Sequence, residues 1–143
     1  MNRLVLAFGS FDILHPGHIH YLSRARSLGD RLVVVVSRDD SITRIKGSKP
    51  IMGEKARVEI IGSLKMVDKA VLGNRLGKES DRYQILRRFR PNVIALGYDQ
   101  KVDIAEMKRY LTKYRLVAKV VRLRTKVNEG VYKSSKLKRM LFG

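Results

Sequence analysis

Residues 3–18 read Arg3-Leu4-Val5-Leu6-Ala7-Phe8-Gly9-Ser10-Phe11-Asp12-Ile13-Leu14-His15-Pro16-Gly17-His18. Arg3–Phe8 is a short apolar run that reads as a strand. Pro16 suits the first turn of a helix, where its missing N–H would be unpaired in any case, and Gly29 closes that helix at Leu28. A strand, a loop and a helix in this order open a βαβ pattern, and the rest of the chain repeats it.

Arg31–Ser37, with four consecutive valines, has the composition of an inner parallel strand buried on both faces. Glu54–Leu64 places Ala56, Ile60 and Leu64 at helical spacing with charges between them. Val67–Leu72 supplies a weaker strand, Ser80–Arg90 a helix stopped by Pro91, and Asn92–Leu96 a strand ending at Gly97. Ile104–Tyr114 and Val117–Leu123 repeat the alternation, and Ser135–Leu141 is a short basic segment of helical preference. Five strands with crossover helices predict an α/β fold: a Rossmann-like, open, five-stranded parallel sheet with helices on both faces. Ligands of such sheets bind beyond the carboxyl ends of the strands, where the strand order reverses.

The 143 residues include 31 Lys+Arg and 13 Asp+Glu, a formal charge of +18, with 44% hydrophobic positions and neither Cys nor Trp. This length suits one domain, and without a linker or repeat the expectation is a single unit over 1–143. The lack of cysteine excludes disulfides, thiolate nucleophiles and Cys-ligated zinc or iron–sulfur centres. The opening run is too short for a secretion signal and no later run reaches membrane-spanning length, which predicts a cytoplasmic protein. The charge attracts anions of some kind, whether nucleic acid, a membrane surface or a polyphosphate. Residues 101–143 alone carry 13 basic and 3 acidic side chains.

The loop after the first strand carries the clearest chemistry. Gly9 permits a close turn, and Gly17 removes bulk where a ligand can approach the backbone. His15 and His18 are three apart and can point to one side of the first helical turn. A helix N-terminus with two nitrogen donors is an anion site, above all for phosphate. A two-histidine, one-carboxylate metal site made of Asp12, His15 and His18 is the weaker alternative, since metal ligands need no glycine between them. His20 reads as an ordinary histidine, solvated or satisfied in the core. Asp99, two residues past Gly97, stands at the ligand edge of the sheet, and Ser135 can cap a helix with Arg139 four residues on. Gly73–Ser80 imitates a Walker loop but has three residues between its glycines and Glu79 where a hydroxyl is needed, so it reads as a surface turn.

The run Gly9–His18 resembles the GxFDxxHxGH motif of the cytidylyltransferase-like nucleotidyltransferase superfamily. Lys46-Gly47-Ser48-Lys49-Pro50 with Arg57 resembles the basic loop before that family's second helix. Gly97-Tyr98-Asp99-Gln100 resembles its GxD segment. Ser134-Ser135-Lys136-Leu137-Lys138-Arg139 resembles its SSTxxR motif, with Lys136 in place of Thr and assigned no role. The resemblance implies transfer of a nucleoside monophosphate from a nucleoside triphosphate to a phosphorylated acceptor, with release of pyrophosphate. It implies that His15, His18, Lys46 and Arg139 are catalytic, with Lys49 as the alternative to Lys46. Gly9, Ser10, Phe11, Pro16, Gly17, Gly97, Asp99, Ser134 and Ser135 would bind the nucleotide beside the two histidines, and Asp12 and Arg57 would face the acceptor. Mg²⁺ would ride on the ATP or CTP, with no dedicated protein ligand.

Finer similarity, in Ser27-Leu28-Gly29-Asp30, Lys46–Ile51, Leu64–Gly73 and the Gly97–Gln100 block, is to the archaeal FAD synthase branch. That implies ATP and FMN as substrates, with CTP and glycerol 3-phosphate as the second choice. It implies small-molecule partners, leaves a homodimer open, and makes membrane and nucleic acid unneeded. The rival from another class is a basic nucleic-acid-binding module, yet no aromatic interleaving, zinc finger or helix-turn-helix pattern accompanies the charge.

Overall fold

The computed structural model describes residues 2–75, 77, 82–124 and 139. Its strands are β1 (Leu4–Gly9), β2 (Arg31–Val36), β3 (Lys69–Leu72), β4 (Val93–Gly97) and β5 (Lys119–Leu123). They form one parallel sheet in the order β3-β2-β1-β4-β5. The helices are α1 (Pro16–Arg26), α2 (Asp39–Lys46), α3 (Glu54–Gly62), α4 (Gln84–Phe89) and α5 (Ile104–Lys113). The chain builds outward from β1 to β3, then crosses back to β4, so the order reverses between β1 and β4. The doubly wound expectation is met.

Side chains alternate across each strand, and the valine run therefore feeds two apolar layers. Val34 and Val36 pack with Val5, Ala7, Leu22 and Ile61 on the α1–α3 face. Val33 and Val35 pack with Leu6, Leu86, Ile94 and Met107 on the α4–α5 face. Polar side chains take up three backbone amides at the starts of β1 and β2, at the amino edge. Asp30 accepts from the Arg3 N–H at 2.7 Å, Asn92 from Leu4 at 2.8 Å and Asp68 from Leu32 at 2.7 Å. The opposite, carboxyl edge is left for ligands.

The strands and most helices lie where the sequence predicts them, within a few residues. Helix α2 is the exception. Residues 39–46 carry helix signals, with Asp39 and Asp40 in the first turn and Gly47 beyond the end in the left-handed conformation (φ 78°), but no element is assigned to residues 39–45 from the sequence, and Lys46 enters there only as the start of the basic loop Lys46–Pro50. Its N-terminus is completed from another element: Glu54 of α3 accepts from the Asp39 N–H at 2.9 Å. That cap is tertiary, and no local pattern announces it. Among the described residues, no helix is long and apolar enough to cross a membrane.

Candidate active site

The loop between β1 and α1 is packed against itself. Phe11 adopts φ 51°, a left-handed conformation that is uncommon for a non-glycine residue and marks a constrained turn. The turn brings its ring back over Gly9, where a Cβ would fall 2.5 Å from the ring. Gly17 is explained in the same way, since a Cβ there would lie 2.9 Å from the His15 imidazole. Both glycines therefore make room for the protein's own rings, rather than for a tight turn or an approaching ligand as their spacing suggests.

The two histidines are fixed by this packing. Their rings stack at 3.7 Å between centroids, and Phe11 meets His18 edge-on at 5.2 Å. His15 is the N-cap residue of α1 and Pro16 its first helical residue. The His15 N–H donates to Nδ1 of His18 at 3.3 Å, which assigns the ring proton of neutral His18 to Nε2. Burial, reinforced by the neighbouring His15 and Lys46, pushes His18 down to about 3. Burial also lowers His15, and the Asp99 carboxylate partly offsets the effect. At neutral pH the pair is uncharged, and its N–H groups supply hydrogen bonds at a helix N-terminus already biased towards anions.

Asp12 and Arg57 are placed otherwise than expected. Asp12 is 1% exposed and its carboxylate accepts from the backbone N–H groups of Ile51 and Met52, both at 2.8 Å. Arg57 is 0% exposed; its guanidinium donates to Met52 O at 2.8 Å, Ser10 O at 2.9 Å, Ser37 O at 2.6 Å and Asp39 Oδ1 at 2.6 Å. Neither lines the cavity, and neither is placed to meet an acceptor. Together they tie the β1–α1 loop, the end of β2, the start of α2 and the 50–53 loop into one brace. The weaker metal alternative fails on the same geometry, because the Asp12 carboxylate is committed to these amides. Among the described residues, no three His, Cys, Asp or Glu side chains group as a metal site.

The nucleotide edge forms where β1 and β4 part. Their pairing stops at Ala7 and Ala95, whereas β1 stays beside β2 to Gly9 and Val36. The parting strands would leave buried polar groups without partners, and two side chains take them up. Tyr21 accepts from the Phe8 N–H at 3.2 Å and donates to Ala95 O at 2.7 Å. Gln100 donates to Phe8 O at 2.6 Å and accepts from the Gly97 N–H at 2.9 Å. Arg122 of β5 holds the same turn, donating to Gly97 O at 2.9 Å and Gln100 O at 2.8 Å. Asp99 lies within this clamped turn, exposed. The sequence reading missed Tyr21, Gln100 and Arg122 as site-builders. Gln100 stands within a quoted motif, but its role depends on a gap between strands that are distant in sequence.

These elements enclose a cavity of about 810 Å³ along the carboxyl edge. It is lined by Gly9, Ser10, Phe11, His15, Gly17, His18, Lys46, Gly97 and Asp99, nine of the expected site residues. Lys46 is the last residue of α2, a favourable place for a cation. Pro16 is exposed and outside the cavity lining, as is Lys49. Arg139 is helical and exposed. Ser134, Ser135 and Lys136 lie outside the described residues. The volume falls in the upper part of the roughly 300–1,000 Å³ range of small-molecule sites.

Residues 6–140 match the family model described as cytidylyltransferase-like. The FAD synthase of Methanosarcina mazei is 47% identical over 119 residues, 83% of this chain and 75% of that protein. The FAD synthase of Aciduliprofundum boonei is 50% identical over 120 residues, 84% of this chain and 77% of that protein. A crystal structure described as the lipopolysaccharide core biosynthesis protein from Thermoplasma volcanium superposes with a TM-score of 0.77 at 44% identity, covering 90% of this chain and all of that one. Pantoate-beta-alanine ligase from Francisella tularensis shares the fold alone, with a TM-score of 0.63 at 16% identity over 96% of this chain and 65% of that one. With the family model spanning nearly its whole length and the strand–loop–helix histidine site in place, the chain belongs to the cytidylyltransferase-like family.

Proposed function

We propose that the chain is an FAD synthase that transfers the adenylyl group of ATP to the phosphate of FMN and releases pyrophosphate. The observation that carries this reading is the 45–50% identity to FAD synthases of several archaea over more than four-fifths of the chain. The cavity is consistent with it. An FMN phosphate oxygen attacks the α-phosphorus of ATP and the bond to the β-phosphate's bridging oxygen breaks. The acceptor phosphate is already ionised, so no general base is needed, and the protein's work is positioning and charge stabilisation.

The neutral imidazoles of His15 and His18 donate to the α-phosphate oxygens and the leaving pyrophosphate, with the N-terminus of α1 behind them. Lys46 adds a point charge where negative charge accumulates. Asp99 accepts ribose hydroxyls, and Ser134, Ser135 and Arg139 hold the β- and γ-phosphates. A divalent cation, Mg²⁺ in the first instance, belongs to the bound triphosphate as part of the substrate. The same reading takes residues 1–143 as one catalytic unit, allows a homodimer, and assigns nucleic acid no role.

The test is direct. Incubation with Mg²⁺, ATP and FMN should yield FAD and pyrophosphate in equal amounts. Turnover of CTP with glycerol 3-phosphate, and none of ATP with FMN, would overturn the reading in favour of the second choice. Tight, salt-sensitive RNA or DNA binding without a thermal shift from either triphosphate would favour the nucleic-acid module.

A further inference from the structure

Between Gln84 and Arg124 the sequence holds eleven Lys and Arg but three carboxylates. The carboxylates stand at the carboxyl edge of the sheet: Asp99 in the turn after β4, Asp103 at the N-cap of α5 and Glu106 in its first turn. Six of the cations gather at the other end. Arg87 and Arg88 lie in the last turn of α4 and Lys113 in the last turn of α5. Arg90 and Arg115 lie in the connections that enter β4 and β5 at the amino edge, and Lys119 is the first residue of β5, paired with Val93. All six are exposed, and no ion pair among the described residues includes them.

Two of these cations rest on aromatic rings. The Arg87 guanidinium lies 5.7 Å from the centroid of Tyr114 and the Lys113 ammonium 5.5 Å from that of Tyr110, which in turn stacks on the buried Tyr83 at 4.3 Å. Residues 108–115, Lys-Arg-Tyr-Leu-Thr-Lys-Tyr-Arg, therefore do interleave rings with cations, which corrects the expectation of none. Neither of the ordinary explanations covers the cluster. The negative ends of two helix dipoles, about half a charge each, call for one or two cations, not six. The triphosphate is at the wrong end: Asp103 borders the cavity, and the ten residues of α5 carry the chain about 15 Å away from it before Lys113 and Arg115.

We infer that the amino edge, around the C-terminal ends of α4 and α5, binds the phosphodiester backbone of a nucleic acid, apart from and in addition to nucleotidyl transfer at the carboxyl edge. Four of the six cations are arginines, whose planar guanidinium forks onto phosphate oxygens. The tyrosine contacts already restrict Arg87 and Lys113, so less side-chain freedom is lost on binding. Contacts to phosphates hold the strand without reading its bases, and the surface is accordingly indifferent to sequence. A bilayer fits this end less well. Interfacial binding needs an apolar face beside the cations, and among the described residues Val117, 97% exposed, is the one large apolar side chain exposed there.

The test is fluorescence anisotropy with a labelled oligouridylate and with a DNA duplex of the same length, which separates the two sources of phosphate backbone. Binding should weaken linearly in log Kd against log salt, with a slope of about 2 to 5. The double variant Arg88→Gln/Lys113→Gln should weaken binding by about tenfold and lower the duplex slope by about two, with circular dichroism, Tm and nucleotidyl transfer as in the parent. Arg44→Gln/Lys55→Gln removes the same charge from α2 and α3 and should change affinity by less than about threefold. Saturating ATP, at matched ionic strength, should leave oligonucleotide binding unchanged.

Equal losses in the two double variants would overturn the surface in favour of diffuse net charge. Displacement by ATP would overturn it by placing the strand in the catalytic cavity. Failure of both oligonucleotides to bind at low salt would overturn it outright; if the protein then sediments with phosphatidylserine vesicles, and Val117→Asp releases it, the end is a membrane contact instead.

Discussion

His18 illustrates how much a single residue's environment decides. The spacing of His15, Gly17 and His18 already points to a phosphate site, but only the packing of Phe11 and the stacked rings shows that the imidazoles are held neutral. The sign of the linked stability follows. The unfolded chain binds a proton at His18 below about 6.5, whereas the folded chain resists until about 3. Stability contributed here is intact above pH 6.5, falls as the pH drops towards 3, and levels off below. Urea unfolding at pH 4 and pH 7 should show a smaller drop in midpoint for His18→Asn than for the parent. In the reaction, His15→Ala or His18→Ala should each lower kcat by about 100-fold or more with unchanged circular dichroism, the scale of losing an oxyanion donor. Gln100→Glu keeps an acceptor for Gly97 but sets a carboxylate oxygen against Phe8 O. We expect a loss of about 1–3 kcal/mol in unfolding free energy and a higher KM for ATP than for the parent. The roles of Gly9 and Gly17 were not legible in the sequence, because which ring fills a glycine's space is a matter of the folded loop.

At the scale of elements, the strands were legible because parallel strands buried on both faces are nearly continuous apolar runs, and Arg31–Val36 is the clearest of them. Helix α2 was obscured by a basic family pattern laid over its end, and its cap is donated by Glu54. Glu54→Ala should destabilise by about 1 kcal/mol and speed hydrogen exchange at the α2 amides more than elsewhere, as measured by mass spectrometry. Arg57 was misread for a related reason: an arginine near a phosphate motif suggests phosphate, and nothing local reveals four acceptors converging on its guanidinium. Arg57→Lys cannot reproduce that fork. It should cost about 3–5 kcal/mol in denaturant unfolding, and reduced activity at temperatures where the variant is folded would report displacement of the β1–α1 loop.

At the scale of the whole molecule, the +18 charge is the least informative property of the sequence, and the strand order the most consequential. The alternation of strands and helices indicates an open sheet but not which strands adjoin. The reversal between β1 and β4 brings Asp99, from the last third of the chain, beside histidines near its start. The early parting of β1 from β4 carries a further consequence. Because Tyr21 and Gln100 satisfy both backbone groups of Phe8, no hydrogen bond between strands must break to admit a nucleotide. The slot is preorganised: the entropy of shaping it is lost when the chain folds, not when substrate arrives, and encounter with ATP can proceed without waiting for the sheet to open.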